Sequence, residues 1–132
     1  MLSCADNTYS SYVMLNILLI DDDETEFRLI QRMLKDCYKG PFLLRYANSV
    51  AKGIEILKSQ KVDMILLDDK LSGGRTAQQS VPALRAVTKD IPFIVISSVI
   101  NAAYLRDKTI LDVYDIVDKY HLRQRIREGL LS

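Results

Sequence analysis

Four-residue apolar runs closed by polar residues recur along this chain. Ile17-Leu18-Leu19-Ile20 ends in acids, and so does Met64-Ile65-Leu66-Leu67. Phe93-Ile94-Val95-Ile96 is entered through Pro92 and closed by Ser97-Ser98. Runs that are apolar on both faces are what buried strands of a parallel sheet look like. Two weaker strands are expected over Phe42–Ala47 and Val113–Val117. Between the strands the period becomes helical. Phe27, Ile30, Leu34 and Cys37 recur at i, i+3, i+7 and i+10, and Ser49 is an N-cap candidate for a helix carrying Ile54 and Leu57. Val81, Leu84 and Val87 share a face, with Pro82 expected in a first turn. Leu122, Ile126 and Leu130, spaced by four, predict a last amphipathic helix. Asn101–Leu111 is a weaker helix, because its apolar residues are few and scattered. The pattern is five βα units, an α/β chain. Such alternation makes a parallel sheet with helices on both faces, joined by right-handed crossovers.

Sites in sheets of this kind lie beyond the carboxyl ends of the strands. The first strand is followed by Asp21, Asp22, Asp23 and Glu24, and the third by Asp68 and Asp69. The fourth is followed by Ser97 and Ser98, the fifth by Asp118 and Lys119. If the first and third strands are neighbours, both acid clusters meet at one end of the sheet. Crowded carboxylates raise one another's pKa. A hard divalent cation resolves that conflict, because Mg²⁺ takes carboxylate, carbonyl and water oxygens. Taken singly these residues are ordinary: an acidic loop before a helix, a serine cap, a surface lysine. Together, carboxylates, a metal, a hydroxyl donor and an ammonium are what phosphoryl transfer requires.

Composition narrows the alternatives. The 132 residues, 48% hydrophobic and 27% charged, suffice for one domain with its own core. Eighteen Lys and Arg against seventeen Asp and Glu leave a net charge of +1, which gives no bulk attraction to nucleic acid. No apolar run reaches membrane-spanning length. Cys4, Cys37 and His121 are too few for a disulfide framework, a zinc site or a His-based triad. Residues 1–13 lack a basic and apolar leader pattern and read as a flexible extension before a domain over 14–132. A cytoplasmic location with reduced cysteines is expected.

The segments NILLIDDDETEFRLIQRML, VDMILLDDKLSGG, IPFIVISS and YDIVDK resemble the receiver domain of bacterial two-component response regulators, of the CheY-like superfamily. The resemblance runs from Leu15 to Leu131. It implies a flavodoxin-like (βα)5 doubly wound fold with strand order 2-1-3-4-5. It also implies a signalling module that catalyses only its own phosphorylation and dephosphorylation. On this resemblance Asp68 is the phosphoacceptor. Asp21 and Asp22 hold Mg²⁺ or Mn²⁺ together with Asp68, with Asp22 the direct ligand and Asp21 acting mainly through water. The backbone carbonyl of Lys70 completes the metal site. Ser97 bonds the phosphoryl oxygen and Lys119 pairs with it. The implied partners are a sensor histidine kinase or histidine phosphotransfer protein and a downstream protein, with neither nucleic acid nor membrane contacted directly.

Several positions depart from the family's usual pattern. Tyr120 replaces the proline after the lysine, and Ile116 stands where an aromatic is common. Ser72 replaces a proline, Arg75-Thr76 an Asp-Gly pair, and Asp112-Val113 a Gly-Ala pair. Two other readings compete. Asp21-x-Asp23-x-Thr25 fits the D-x-D-x-T signature of haloacid-dehalogenase-type phosphatases, although the pair Asp68-Asp69 precedes Ser97 and Lys119 where that family has its acids last. The chain could also be a receiver fold used as a phosphorylation-independent interaction module.

Overall fold

A computed structural model describes residues 13–132. Apart from exposed Val13, the expected extension lies outside them. Five strands are present: β1 (Leu15–Ile20), β2 (Phe42–Ala47), β3 (Met64–Asp68), β4 (Phe93–Ser97) and β5 (Asp115–Asp118). They form one parallel sheet in the order β2-β1-β3-β4-β5, the flavodoxin-like order implied above. Helices α1 (Glu24–Cys37), α2 (Val50–Ser59), α3 (Ala77–Arg85), α4 (Lys108–Leu111) and α5 (Leu122–Arg127) follow the strands in turn. Among the described residues, no helix is long and apolar enough to cross a membrane.

The alternation of side chains along each strand divides the core in two. Ile17 and Leu19 of β1 face one side, with Leu66, Ile94 and Ile96, and are covered by Ile30 and Leu34 of α1 and Leu122 and Ile126 of α5. Leu18 and Ile20 face the other, with Ile65, Leu67 and Val95, under α2, α3 and Leu111 of α4. The middle strands carry apolar residues on both faces because both faces are buried. Gly53 lets α2 approach β1, since a Cβ there would stand 2.7 Å from the Ile20 Cδ1.

Three expectations are corrected. The Asn101–Leu111 helix is a 3-10 turn (Ala103–Leu105) followed by the single turn of α4, which Asp107 caps by accepting from the Thr109 N–H. The fifth strand begins two residues later than expected. Asp112 adopts a left-handed conformation at φ 66°, and the Val113 N–H is used to bond the Lys108 carbonyl at the end of α4. Pro82 lies inside α3, not in its first turn: the helix starts at Ala77, where Gln79 reaches back to accept from the Thr76 N–H. Val81 and Leu84 are buried, while Val87 falls past the helix end and is exposed.

Candidate functional site

Ile20 and Leu67 are register partners on adjacent strands, so the next residues, Asp21 and Asp68, emerge side by side. One carboxylate oxygen each from Asp21, Asp22 and Asp68 lie within 4.8 Å of one another. Asp21 is buried, Asp68 half-buried and Asp22 exposed. Asp21 Oδ1 accepts from the Asp23 N–H at 2.9 Å, and Asp22 Oδ2 accepts from the Ser72 hydroxyl at 2.7 Å. Ser72 sits in a tight loop where consecutive glycines, Gly73 and Gly74, take φ of 82° and 79°. A side chain would strain that backbone.

Crowding and burial show in the acidities. Burial raises the Asp68 carboxyl to about 7, with neighbouring Asp21 adding to the rise and Lys119 opposing it. Burial likewise raises Asp21 to about 6, although the Asp23 N–H favours its ionised form. Three hard oxygens at this separation, two of them from carboxyls whose pKa is raised, are a donor set suited to Mg²⁺. Lys70 follows in the loop and is exposed.

The other expected residues surround this cluster with different partners. Ser97 ends β4 beside Asp118 and is buried. Its hydroxyl has the Val99 carbonyl at 2.9 Å and Asp69 Oδ2 at 3.3 Å as acceptors. Lys119 forms a close ion pair with Glu26 on the first turn of α1. Burial alone pulls the Lys119 ammonium down, but the bond to Glu26, aided by Asp68 and Asp21, leaves its pKa above the ordinary lysine value.

Not all the acids join the cluster. Asp23 caps α1 by accepting from the Thr25 N–H at 2.9 Å, so the carboxyl that a D-x-D-x-T phosphatase needs over its nucleophile is committed to the helix. Asp118 caps the 3-10 turn Lys119–His121. Asp69 is only 1% exposed and bonds away from the cluster, to the Ala77 N–H at 3.0 Å and to Tyr104. The Tyr104 hydroxyl lies 2.8 and 2.7 Å from its two oxygens. Burial first, then the bond to Asp69, pushes the Tyr104 phenol up to about 12.

Sequence reasoning missed Glu26, Ser72 and the pairing of Asp69 with Tyr104. Strand alternation did hold a signal for Asp69, since successive residues point to opposite faces and Asp68 and Asp69 cannot share one. Glu26 and Ser72 carried none, because their partners lie far along the chain.

Residues 17–130 match the response regulator receiver domain family. No curated protein matches the chain in sequence. Solved structures with the same fold include the receiver domain of sensor histidine kinase PA1611 from Pseudomonas aeruginosa PAO1, with a magnesium ion coordinated in its active-site cleft. It is 18% identical, with TM-score 0.72, covering 89% of this chain and 95% of that one. Chemotaxis protein CheY4 of Vibrio cholerae is 15% identical, with TM-score 0.74, covering 89% and 97%. The RcsB response regulator of Salmonella typhimurium is 18% identical, with TM-score 0.74 over 88% of this chain, which spans 57% of the RcsB chain. With a family match over nearly all the described residues and an acidic pocket at the expected strand ends, this chain belongs to the response regulator receiver domains, the signalling modules of two-component systems.

Proposed function

We propose that the chain takes a phosphoryl group on Asp68 and signals by protein contact, with a phosphohistidine of a sensor kinase or phosphotransfer protein as donor. The observation that carries this reading is the convergence of Asp21, Asp22 and Asp68 at the ends of two adjacent strands. Asp21, Asp22, Asp68 and the Lys70 backbone carbonyl would hold Mg²⁺, which would supply positive charge against the crowded carboxylates and the developing charge on the phosphoryl oxygens. A free Asp68 oxygen attacks phosphorus, the bond from phosphorus to the donor nitrogen breaks, and the electron pair leaves with the imidazole. Asp68 becomes an acyl phosphate. The Ser97 hydroxyl turns to donate to a phosphoryl oxygen, and the Lys119 ammonium swings from Glu26 to pair with another.

Beryllofluoride, a phosphoryl mimic, separates this from a receiver fold that works without phosphorylation. Amide NMR with Mg²⁺ present is expected to show beryllofluoride-dependent shifts at Asp68, at Lys70 and across Val99–Tyr104. No response at Asp68 at saturating Mg²⁺ and beryllofluoride contradicts the proposal.

A further inference from the structure

Asp69 is the most deeply buried carboxylate among the described residues, and the chemistry proposed for Asp68 makes no use of it. Three donors converge on it from three elements. The Ala77 N–H comes from the start of α3, the Ser97 hydroxyl from the end of β4, and the Tyr104 hydroxyl from the 3-10 turn that precedes α4. Ser97 has a single hydroxyl proton. In the resting protein its acceptors are the Val99 carbonyl and Asp69, not Asp68. Any stabilisation of a phosphoryl group by Ser97 therefore requires that proton to leave them.

We infer that Asp69 and Tyr104 are positioning residues for Ser97: Asp69 competes with the phosphoryl group for the serine hydroxyl, and Tyr104 weakens that competition by occupying Asp69. This inference rests on Asp68 being the phosphoacceptor. The two contacts differ in length. Tyr104 lies within 2.8 Å of both Asp69 oxygens, whereas Ser97 stands at 3.3 Å from one. With the phenol in place, Asp69 is largely satisfied and its hold on Ser97 is slack. Without the phenol, a buried carboxylate left with the Ala77 N–H as its other donor draws the serine in, because leaving an oxygen unsatisfied is costly. The same pairing links the phosphoryl site to the Ala103–Leu105 turn: when Ser97 leaves, Asp69 depends on Tyr104 and Ala77 alone.

The two substitutions are expected to act in opposite directions. Tyr104→Phe changes no charge and removes the competing donor, so labelling by acetyl phosphate at saturating Mg²⁺ slows by about three- to tenfold. Asp69→Asn weakens the acceptor and speeds labelling by a similar factor. Because Tyr104 acts through Asp69, the double variant follows Asp69→Asn. A purely structural role for either residue slows every variant. The Val99 N–H donates to Ser97 Oγ at 3.2 Å, so its amide resonance reports the serine without metal or donor. It is expected to shift in metal-free Tyr104→Phe. Labelling of Tyr104→Phe at or above the wild-type rate, or an unmoved Val99 amide in that variant, overturns the inference even if Asp69→Asn fails to fold. Slowing in both single variants overturns it as well. Failure of the wild-type protein to be labelled at all overturns the phosphoacceptor reading and this inference with it.

Discussion

Asp21 and Asp22 are adjacent in sequence yet play different parts, because one is buried and the other exposed. Asp21 is the chief charge raising the pKa of Asp68 after burial itself. If Mg²⁺ binds as proposed, replacing Asp21 by alanine removes a water-mediated contact but also relieves that repulsion. Asp22→Ala would remove a direct ligand with less compensation. The expected result by calorimetric titration is a Mg²⁺ Kd raised by about a hundredfold in Asp22→Ala and about tenfold in Asp21→Ala. Equal losses mean that the inner and outer ligands are misassigned. The residues that converge on the site were legible from strand ends and family resemblance alone. Their resting partners were not. Lys119 bonding Glu26, and Ser72 bonding Asp22 across fifty positions, follow from how α1 and the β3–α3 loop fold over the sheet.

At the scale of elements, the apolar runs located β1, β3 and β4 because those strands are buried on both faces. β2 matched its expected limits, and Ser49 does cap α2. The region after β4 departs from the expected helix because short polar bonds govern it in place of apolar periodicity. The cap at Asp107, the left-handed Asp112 and the Tyr104–Asp69 bond leave α4 a single turn. Arg85 secures this region from below. Its guanidinium donates to the Ile91, Lys89 and Asp112 carbonyls, pairs with the Asp112 carboxylate and stacks over the Phe93 ring at 3.8 Å. With the side chain only 17% exposed, these bonds are poorly replaced by water. Arg85→Ala is expected to lower unfolding stability by about 2–4 kcal/mol in urea titrations. Arg85→Lys, which cannot reach three carbonyls at once, should recover less than half of the loss. A change below about 0.5 kcal/mol for Arg85→Ala, the range of an ordinary surface substitution, rules out this bracing role.

For the whole molecule, the carboxylate cluster couples folding to pH and, if Mg²⁺ binds as proposed, to metal. Asp68 and Asp21 titrate near 7 and 6 when folded, against an ordinary value of 3.8. Raised carboxylate pKa values mean that the folded state binds protons more tightly than the unfolded one. The resulting stability is fully present below the ordinary value and is lost as pH rises through about 6 and about 7. Mg²⁺ requires the ionised forms, so its stabilising effect grows over the same interval. Thermal melts from pH 5 to 8 are expected to show metal-free Tm falling with pH while the increment from Mg²⁺ rises. In Asp68→Asn the fall should shrink. A metal-free Tm that rises with pH, or an increment independent of pH, contradicts the electrostatic account of the cluster.

The proposed function stands or falls with Asp68 as the residue that takes the phosphoryl group. The direct measurement is site mapping by mass spectrometry after incubation with acetyl phosphate, with Mg²⁺ or with EDTA. The expected result is one phosphoryl group on Asp68 in the presence of Mg²⁺, and none with EDTA or in Asp68→Asn. Label of equal extent in EDTA, or label persisting in Asp68→Asn on another residue, contradicts it.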